Sequence, residues 1–307
     1  MTLLLIIPGR DNSGMVNRLA AVDPEVPIAV WPEVENPDAI RFAVTWYHHP
    51  GSLCGYANLS GISSLGAGMD HILEDPDLPQ GIPLARVVDD QLVKEMREYL
   101  LLAVLHRHRE WDAYKQQQRE RSWVMRPAKP APAIGILGLG QMGAAIAASF
   151  VHLNYPVLGW SRGPKSLQGV DCHHGDQGFA AVLQATDILI CLLPLTRDTR
   201  NILDARCFSQ MKRGSYLINV GRGDHLVEKD LLSALEEGQI GGACLDVFDR
   251  EPLPEDHPFW DHPRITLTPH IASRTNPESV AELLIDNYHR ACEGKPLRFA
   301  VDPHRGY

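Results

Sequence analysis

Ala133-Ile134-Gly135-Ile136-Leu137-Gly138-Leu139-Gly140-Gln141-Met142-Gly143, followed by Ala144-Ala145-Ile146-Ala147-Ala148, decides the fold. The first five residues are short, apolar and strand-like, and the last five open a helix. A strand, a glycine turn and a helix N-terminus in that order make a site for a dinucleotide pyrophosphate. The first glycine allows the tight turn, the second lets the backbone approach the phosphates, and the third lets helix pack on strand. A second strand follows as Val157-Leu158-Gly159-Trp160. The acidic residue expected at its end, to grip a ribose 2′-hydroxyl, is missing. Ser161-Arg162 stand there instead, with Lys165 close behind. A guanidinium and an ammonium suit a 2′-phosphate, so the reading is NADP(H) over NAD(H). A solvated basic loop is the plainer alternative.

The fingerprint lies mid-chain, so residues 1 to about 95 form a separate unit. Their apolar runs, Leu3–Ile7, Ala43–Tyr47 and Ile62–Leu65, predict a smaller α/β domain. A helical stretch from Leu92 to about Arg121 leads to Arg126-Pro127-Ala128-Lys129-Pro130-Ala131-Pro132, which cannot continue a helix. Beyond Ala133, strands are expected at Ile188–Leu193, Tyr216–Val220, Ala243–Phe248 and Ile265–Thr268, near-continuous apolar runs suited to a parallel sheet covered on both faces. Glu228 to Gly238 reads as an amphipathic helix with a glycine stop, and a last helix, about Pro277 to Glu293, returns to the first domain.

At 307 residues the chain has room for two cores. A net charge of -9 argues against nucleic acid as the main partner. The basic stretch from Arg107 to Arg121 is broken by Glu110, Asp112 and Glu120 and reads as a solvated helix face. The six cysteines show no CxxC, so neither a disulfide framework nor a zinc site is expected. His48-His49 and His173-His174 lack a third ligand at metal spacing. Leu3 to Pro8 is too short for a signal peptide and no run is long enough to span a membrane, which leaves the cytoplasm as the expected location.

In open α/β sheets ligands bind beyond the carboxyl ends of strands. Three expected strand ends carry Gly221-Arg222-Gly223, Asp249-Arg250-Glu251-Pro252 and Pro269-His270, with Asp246 inside the middle strand. A 2-oxo acid presents a carboxylate beside a ketone. Arg holds such a carboxylate with a forked hydrogen-bond pair, His donates the proton that the oxygen needs as hydride arrives, and Glu beside His stabilises imidazolium and fixes its orientation. Singly, Arg222 reads as a loop charge, Glu251 as one acid on a Pro-rich turn and His270 as one of 14 histidines. Their joint placement around a dinucleotide site makes them candidates.

With these residues in place, the chain resembles the D-isomer-specific 2-hydroxyacid dehydrogenase family over nearly its whole length. The resemblance rests on Leu65-Gly66-Ala67-Gly68-Met69-Asp70, the glycine run, Leu193-Pro194-Leu195-Thr196 with Thr199, and Ile218 to Gly223. It extends to Leu245-Asp246-Val247-Phe248, Glu251-Pro252-Leu253 and Thr268-Pro269-His270, with Arg222, Glu251 and His270 separated by 29 and 19 positions. It implies two Rossmann-like or flavodoxin-like domains with parallel sheets and an active-site cleft between them. Residues 1–95 plus about 275–307 would form the substrate domain, and about 96–274 the NADP-binding domain. It implies that Arg222 binds the substrate carboxylate, that His270 is the acid/base and that Glu251 pairs with it. Gly138, Gly140, Gln141, Met142, Gly143, Ser161, Arg162, Lys165, Leu193, Pro194, Thr199 and Val220 would hold the cofactor, with Asp246 on the nicotinamide carboxamide. The Gly66–Gly68 amides would help hold the substrate carboxylate, with Ala67 and Gly68 as substrate-binding residues, and a homodimer would form through the cofactor domain.

Within the family the chain is most similar to the type A glyoxylate/hydroxypyruvate reductases, through Trp46, Met96-Arg97-Glu98-Tyr99, Trp160-Ser161-Arg162, Glu251-Pro252-Leu253-Pro254 and Arg305-Gly306-Tyr307. Trp46 would wall the substrate pocket, although an aromatic on a strand is more often core. Arg274 departs from the small or apolar residue usual there. It is either a second positive charge for a larger or dicarboxylic substrate or a solvated hinge residue. The expected reaction is NADPH-dependent reduction of glyoxylate or hydroxypyruvate. The alternatives are a bulkier phenyl- or branched-chain 2-oxo acid as substrate, or a non-catalytic dinucleotide-sensing corepressor.

Overall fold

The computed structural model describes residues 1–303 together with Arg305 and Gly306; Tyr307, one of the residues behind the resemblance, lies outside them. The chain opens with β1 (Thr2–Ile6), α1 (Ser13–Val22), β2 (Ile28–Val30), β3 (Ile40–Thr45), β4 (Gly61–Ser64), α2 (Asp70–Leu73) and β5 (Leu84–Ala85). It continues through α3 (Asp90–His108), α4 (Trp111–Glu120), β6 (Ile134–Leu137), α5 (Gln141–His152), β7 (Val157–Ser161), β8 (Val170–His174), α6 (Gly175–Ala185) and β9 (Ile188–Cys191). Then come α7 (Ala205–Gln210), β10 (Ser215–Asn219), α8 (Glu228–Glu236), β11 (Ile240–Leu245), β12 (Ile265–Leu267), α9 (Pro277–Cys292) and β13 (Ala300–Val301). Two compact units result. One comprises Met1–Leu92, Pro194–Thr196 and Arg274–Tyr307; the other comprises Val93–Leu193 and Arg197–Ser273.

The first unit is a six-stranded sheet in the order β13-β5-β4-β3-β1-β2. All its pairings are parallel except β13 on β5. Leu3, Leu4, Leu5 and Ile6 on β1, and Phe42, Ala43 and Val44 on β3, are fully buried, as expected for central strands covered on both faces. On α9, Val280, Ala281, Leu284, Ile285 and Tyr288 recur at helical spacing and turn inward. This helix packs on α1, β3 and β4.

The second unit is a seven-stranded, wholly parallel sheet in the order β12-β11-β10-β9-β6-β7-β8. Alternation along β9 divides the core. Leu189 and Cys191 face a layer built from α6, α7 and α8, whereas Ile188 and Ile190 face one built from α3 and α5. Met96, Leu100 and Val104, four residues apart, form the buried stripe of α3. The strand order reverses between β6 and β9, the switch point at which such sheets bind ligands.

Two expectations are corrected here. The single helix from Leu92 to Arg121 is two helices, parted at Glu110, whose φ of 51° is left-handed. The Glu110 carboxylate turns back to pair with Arg126 at 2.7 Å and Lys129 at 2.9 Å, which ties the proline-rich strap to the break and holds the carboxyl down to about 2. Arg107 is exposed, as expected of a solvated face, and its guanidinium also lies over the Tyr216 ring at 5.0 Å. The strand expected over Ala243–Phe248 instead runs Ile240–Leu245, so Asp246 lies just past its end. The sequence reading also missed β8, whose polar Asp171, His173 and His174 give no apolar run.

Candidate active site

The turn between β6 and α5 is built as its glycines require. Gly138 has a φ of 105°, and a Cβ there would stand 2.8 Å from the Leu192 carbonyl oxygen. A Cβ on Gly143 would fall 1.8 Å from the Gly138 carbonyl oxygen, so helix and strand could not close. Gly140 differs: a Cβ there would meet nothing within 4 Å. The fold does not need a glycine at 140, but a phosphate approaching the backbone does. Gln141 and Met142 open α5 and turn its N-terminal amides toward the same space. Leu193, Thr199 and Val220 are buried in this unit, whereas Pro194 is counted with the first unit.

At the end of β7 no carboxylate faces outward from the strand. Ser161 is buried and donates to the Gly163 carbonyl at 2.8 Å, whereas Arg162 and Lys165 are exposed. Arg162 pairs with Asp198 at 3.2 Å, across a surface where both side chains keep contact with water. Such a pair contributes little to stability and exchanges readily for a phosphate. The donor set therefore fits a 2′-phosphorylated dinucleotide: a glycine cradle with room at Gly140, a helix N-terminus, and cations where a ribose-binding carboxylate would otherwise stand.

The three strand-end residues converge on the second unit. His270 Nδ1 lies 2.7 Å from Glu251 Oε2, and Glu251 Oε1 accepts the Phe248 N–H at 3.0 Å. Burial pushes the Glu251 carboxyl up, but the His270 hydrogen bond and charge, the Phe248 N–H and the Arg222 charge together outweigh it and leave the group below its usual range. Arg222 is thus within electrostatic reach of the same carboxylate. Its Nη1 donates to the Gly221 carbonyl at 2.8 Å and its N–H to His225 Nδ1 at 3.0 Å. Both flanking glycines are needed. A Cβ on Gly223 would strike the Phe248 carbonyl carbon at 1.8 Å, and one on Gly221 would stand 2.9 Å from His225 Nδ1.

His270 has a left-handed backbone, with φ of 52°. Asp246 is almost wholly buried beside it. Its Oδ1 accepts from Thr268 Oγ1 at 2.7 Å and the Ile271 N–H at 2.8 Å, and its Oδ2 accepts from the Ala272 N–H at 2.8 Å. Burial raises the Asp246 carboxyl despite these bonds and the His270 charge. Thr268 Oγ1 lies 2.6 Å from the Tyr99 hydroxyl on α3. The sequence reading quoted Tyr99 and Thr268 only as marks of resemblance. A polar residue between Met96 and Leu100 on a buried helix face was the available signal.

In the first unit, Trp46 follows β3 with its ring 4.9 Å from His71, and a Cβ on Gly66 would stand 2.5 Å from its indole. Ser64 Oγ donates to the Gly68 carbonyl at 2.7 Å, accepts the Gly66 N–H at 3.2 Å and lies 3.2 Å from His71 Nε2. Ser64 thus ties the Gly66 amide and the Gly68 carbonyl of this turn together. His48 pairs with Asp75 at 2.9 Å, and His173 with Asp171 at 3.1 Å. Arg274 begins the last segment of this unit.

Residues 100–272 match the model of the D-isomer specific 2-hydroxyacid dehydrogenase NAD-binding domain. This chain belongs to that family. It is an NAD(P)-dependent oxidoreductase of the 2-hydroxyacid dehydrogenase type. A glyoxylate/hydroxypyruvate reductase A from Photorhabdus laumondii is 41% identical over 301 residues, covering 96% of this chain and 95% of its own. One from Escherichia fergusonii is 36% identical over 314 residues, covering both chains completely. Among solved structures, a D-isomer specific 2-hydroxyacid dehydrogenase from Xanthobacter autotrophicus, in complex with NADPH and MES, superposes with a TM-score of 0.95 at 33% identity, covering 100% of this chain and 99% of that one. An NADPH-dependent glyoxylate/hydroxypyruvate reductase from Sinorhizobium meliloti, in complex with NADP and sulfate, gives 0.92 at 33%, with the same coverage.

Proposed function

We propose that this enzyme reduces small 2-oxo acids with NADPH, glyoxylate to glycolate and hydroxypyruvate to D-glycerate, with His270 as proton donor. The observation that carries the reading is the 2.7 Å bond from His270 Nδ1 to Glu251, with the Arg222 charge acting on the same carboxylate. Gly138, Gly140, Gln141, Met142 and Gly143 would hold the pyrophosphate, Ser161, Arg162 and Lys165 the 2′-phosphate, and Leu193, Pro194, Thr199 and Val220 the remaining length. Asp246 keeps acceptor capacity on Oδ2 for the carboxamide N–H. Bound there, NADPH supplies the hydride to the carbonyl carbon.

The protein's part follows from its geometry. Glu251 fixes the Nδ1–H of His270 and leaves Nε2–H for the substrate oxygen. As negative charge develops on that oxygen, Nε2 gives up its proton and the ring becomes a neutral Nδ1–H imidazole. Glu251, kept ionised by its surroundings, orients the ring and stabilises the imidazolium without itself accepting the proton. Arg222 grips the carboxylate; a guanidinium carries five N–H donors, so its bond to Gly221 is compatible with a forked pair. Trp46, Ala67 and Gly68 are the proposed substrate contacts on the first unit. The test is product analysis. With hydroxypyruvate and NADPH, D-glycerate should form mole for mole with NADP; L-glycerate, or no hydroxy acid, would contradict the reading.

A homodimer in the cytoplasm belongs to the same reading. On α4 and the following strap, Trp111, Tyr114, Trp123, Val124 and Met125 are exposed, Trp123 to 97%. Large apolar side chains exposed in such number on one segment favour an interaction face. The six cysteines stand as free thiols, in keeping with a reducing compartment. No described helix is long and apolar enough to cross a membrane. Sedimentation should give twice the chain mass, and the single-chain mass for Trp123→Asp.

A further inference from the structure

Glu251 holds the His270 ring, whereas one residue, Asp246, gathers the backbone around it. Four donors between Thr268 and Ala272, His270's own N–H among them, converge on Asp246. Thr268 Oγ1 and the Ile271 and Ala272 N–H groups reach its carboxylate, and the His270 N–H reaches its carbonyl at 2.9 Å. A left-handed histidine persists only where its surroundings over-determine it. Here the residues on both sides of His270 are tied to one buried carboxylate at the end of β11.

The donors have a fixed direction. An ionised carboxylate only accepts, so the one Thr268 proton goes to Asp246 Oδ1. The 2.6 Å contact between Tyr99 and Thr268 then requires Tyr99 to be the donor. Cys244 Sγ, 3.3 Å from the Tyr99 oxygen, completes the line on β11. Burial raises the Tyr99 hydroxyl far above its ordinary range and pushes the Cys244 thiol up to about 11, so both keep their protons at neutral pH. The chain from α3 to the carboxylate therefore keeps one polarity throughout the working range.

We infer that Tyr99, Thr268 and Asp246 are positioning residues for His270: the directed chain fixes the carboxylate, and the carboxylate fixes the backbone from which the imidazole projects. The inference rests on His270 being the proton donor of the proposed reaction. A loss of position of about 1 Å at an acid/base group costs on the order of 100-fold in rate.

The test uses Thr268→Val, Thr268→Ser and Tyr99→Phe in the full-length protein, read by steady-state kinetics with NADPH and glyoxylate and by the His270 imidazole resonance of the protein without cofactor. Thr268→Val should lower kcat about 10- to 100-fold with NADPH affinity within about 3-fold, and should move or split the His270 signal. Thr268→Ser, which keeps the hydroxyl, should restore both. Tyr99→Phe should give a smaller loss of the same kind. Wild-type kcat and an unmoved His270 signal in Thr268→Val would overturn the inference, as would an equal loss in Thr268→Ser, which would assign the effect to methyl packing. If the wild-type protein reduces no 2-oxo acid, the proposed function fails, whereas the resonance still reports whether the chain holds His270.

Discussion

Two turns in this molecule perform similar structural work with different chemistry. The turn over Leu65–Gly68 follows β4 of the first unit, and the turn over Thr268–Ala272 follows β12 of the second. Ser64 Oγ organises the first. Its proton goes to Gly68, so His71 Nε2 must donate to it, which leaves His71 Nδ1 to accept the Tyr47 N–H at 3.3 Å. Every partner there can be neutral. Asp246 organises the second, with a carboxylate that receives three donors. Hydrogen bonds to an ionised group are roughly twice as strong as neutral ones. The rigid, charge-assisted hub lies under the proposed proton donor, and the softer neutral one lies under the proposed substrate contacts, where small adjustments of shape are tolerable.

The largest effect expected of any break in this contrast is on chemistry. His270→Asn keeps a residue that tolerates left-handed backbone but removes the acid, and should lower kcat about 10²- to 10⁴-fold while the protein still binds NADPH. Next is the charged hub itself. Asp246→Asn preserves volume but turns an NH₂ toward a backbone N–H, so urea unfolding should show a loss of about 1–3 kcal/mol, together with a fall in kcat. The neutral hub should matter less. Ser64→Ala should cost about 0.5–1.5 kcal/mol and raise KM for glyoxylate, with kcat little changed.

The smallest effect is one of sign. Glu251 lies below the ordinary 4.5 in the folded protein, so its ionisation stabilises the fold above 4.5, and that contribution is lost as the pH falls through the folded value. Asp246, raised above 3.8, has the opposite sign: its ionised form is a net cost that acidification relieves. The stability gap between wild type and Glu251→Gln, followed by denaturant titration across pH, should therefore narrow below 4.5. A gap that widens there would contradict the assignment.

The glycine turn was legible because Gly138 and Gly143 answer local steric demands and Gly140 leaves the backbone open to a phosphate, a pattern that shows in spacing alone. The polar strand ends were legible for a topological reason: a parallel sheet presents its carboxyl ends on one side. What escaped is non-local. Tyr99 and Thr268 are 169 positions apart, and although a hydroxyl among the apolar residues of α3 signals that a partner is needed, the sequence does not say which residue supplies it. Asp246 read as a strand residue because the apolar run continues through Val247-Phe248, yet its side chain is claimed by the turn that follows β12. The break at Glu110 was hidden too, since the partners of its carboxylate, Arg126 and Lys129, lie beyond α4 in the proline-rich strap. The bond from the Gly66 amide to the Ser64 hydroxyl was not legible either, since spacing does not show where a serine side chain turns.

The most direct measurement is the initial rate of NADPH oxidation against that of NADH, each with glyoxylate and with hydroxypyruvate, using the purified protein. Rapid NADPH oxidation with both acids and much slower NADH oxidation are expected, with the difference shrinking in Arg162→Ala. Equal rates with the two cofactors would contradict the 2′-phosphate reading of Ser161, Arg162 and Lys165, and no oxidation of either would contradict the proposed reaction itself.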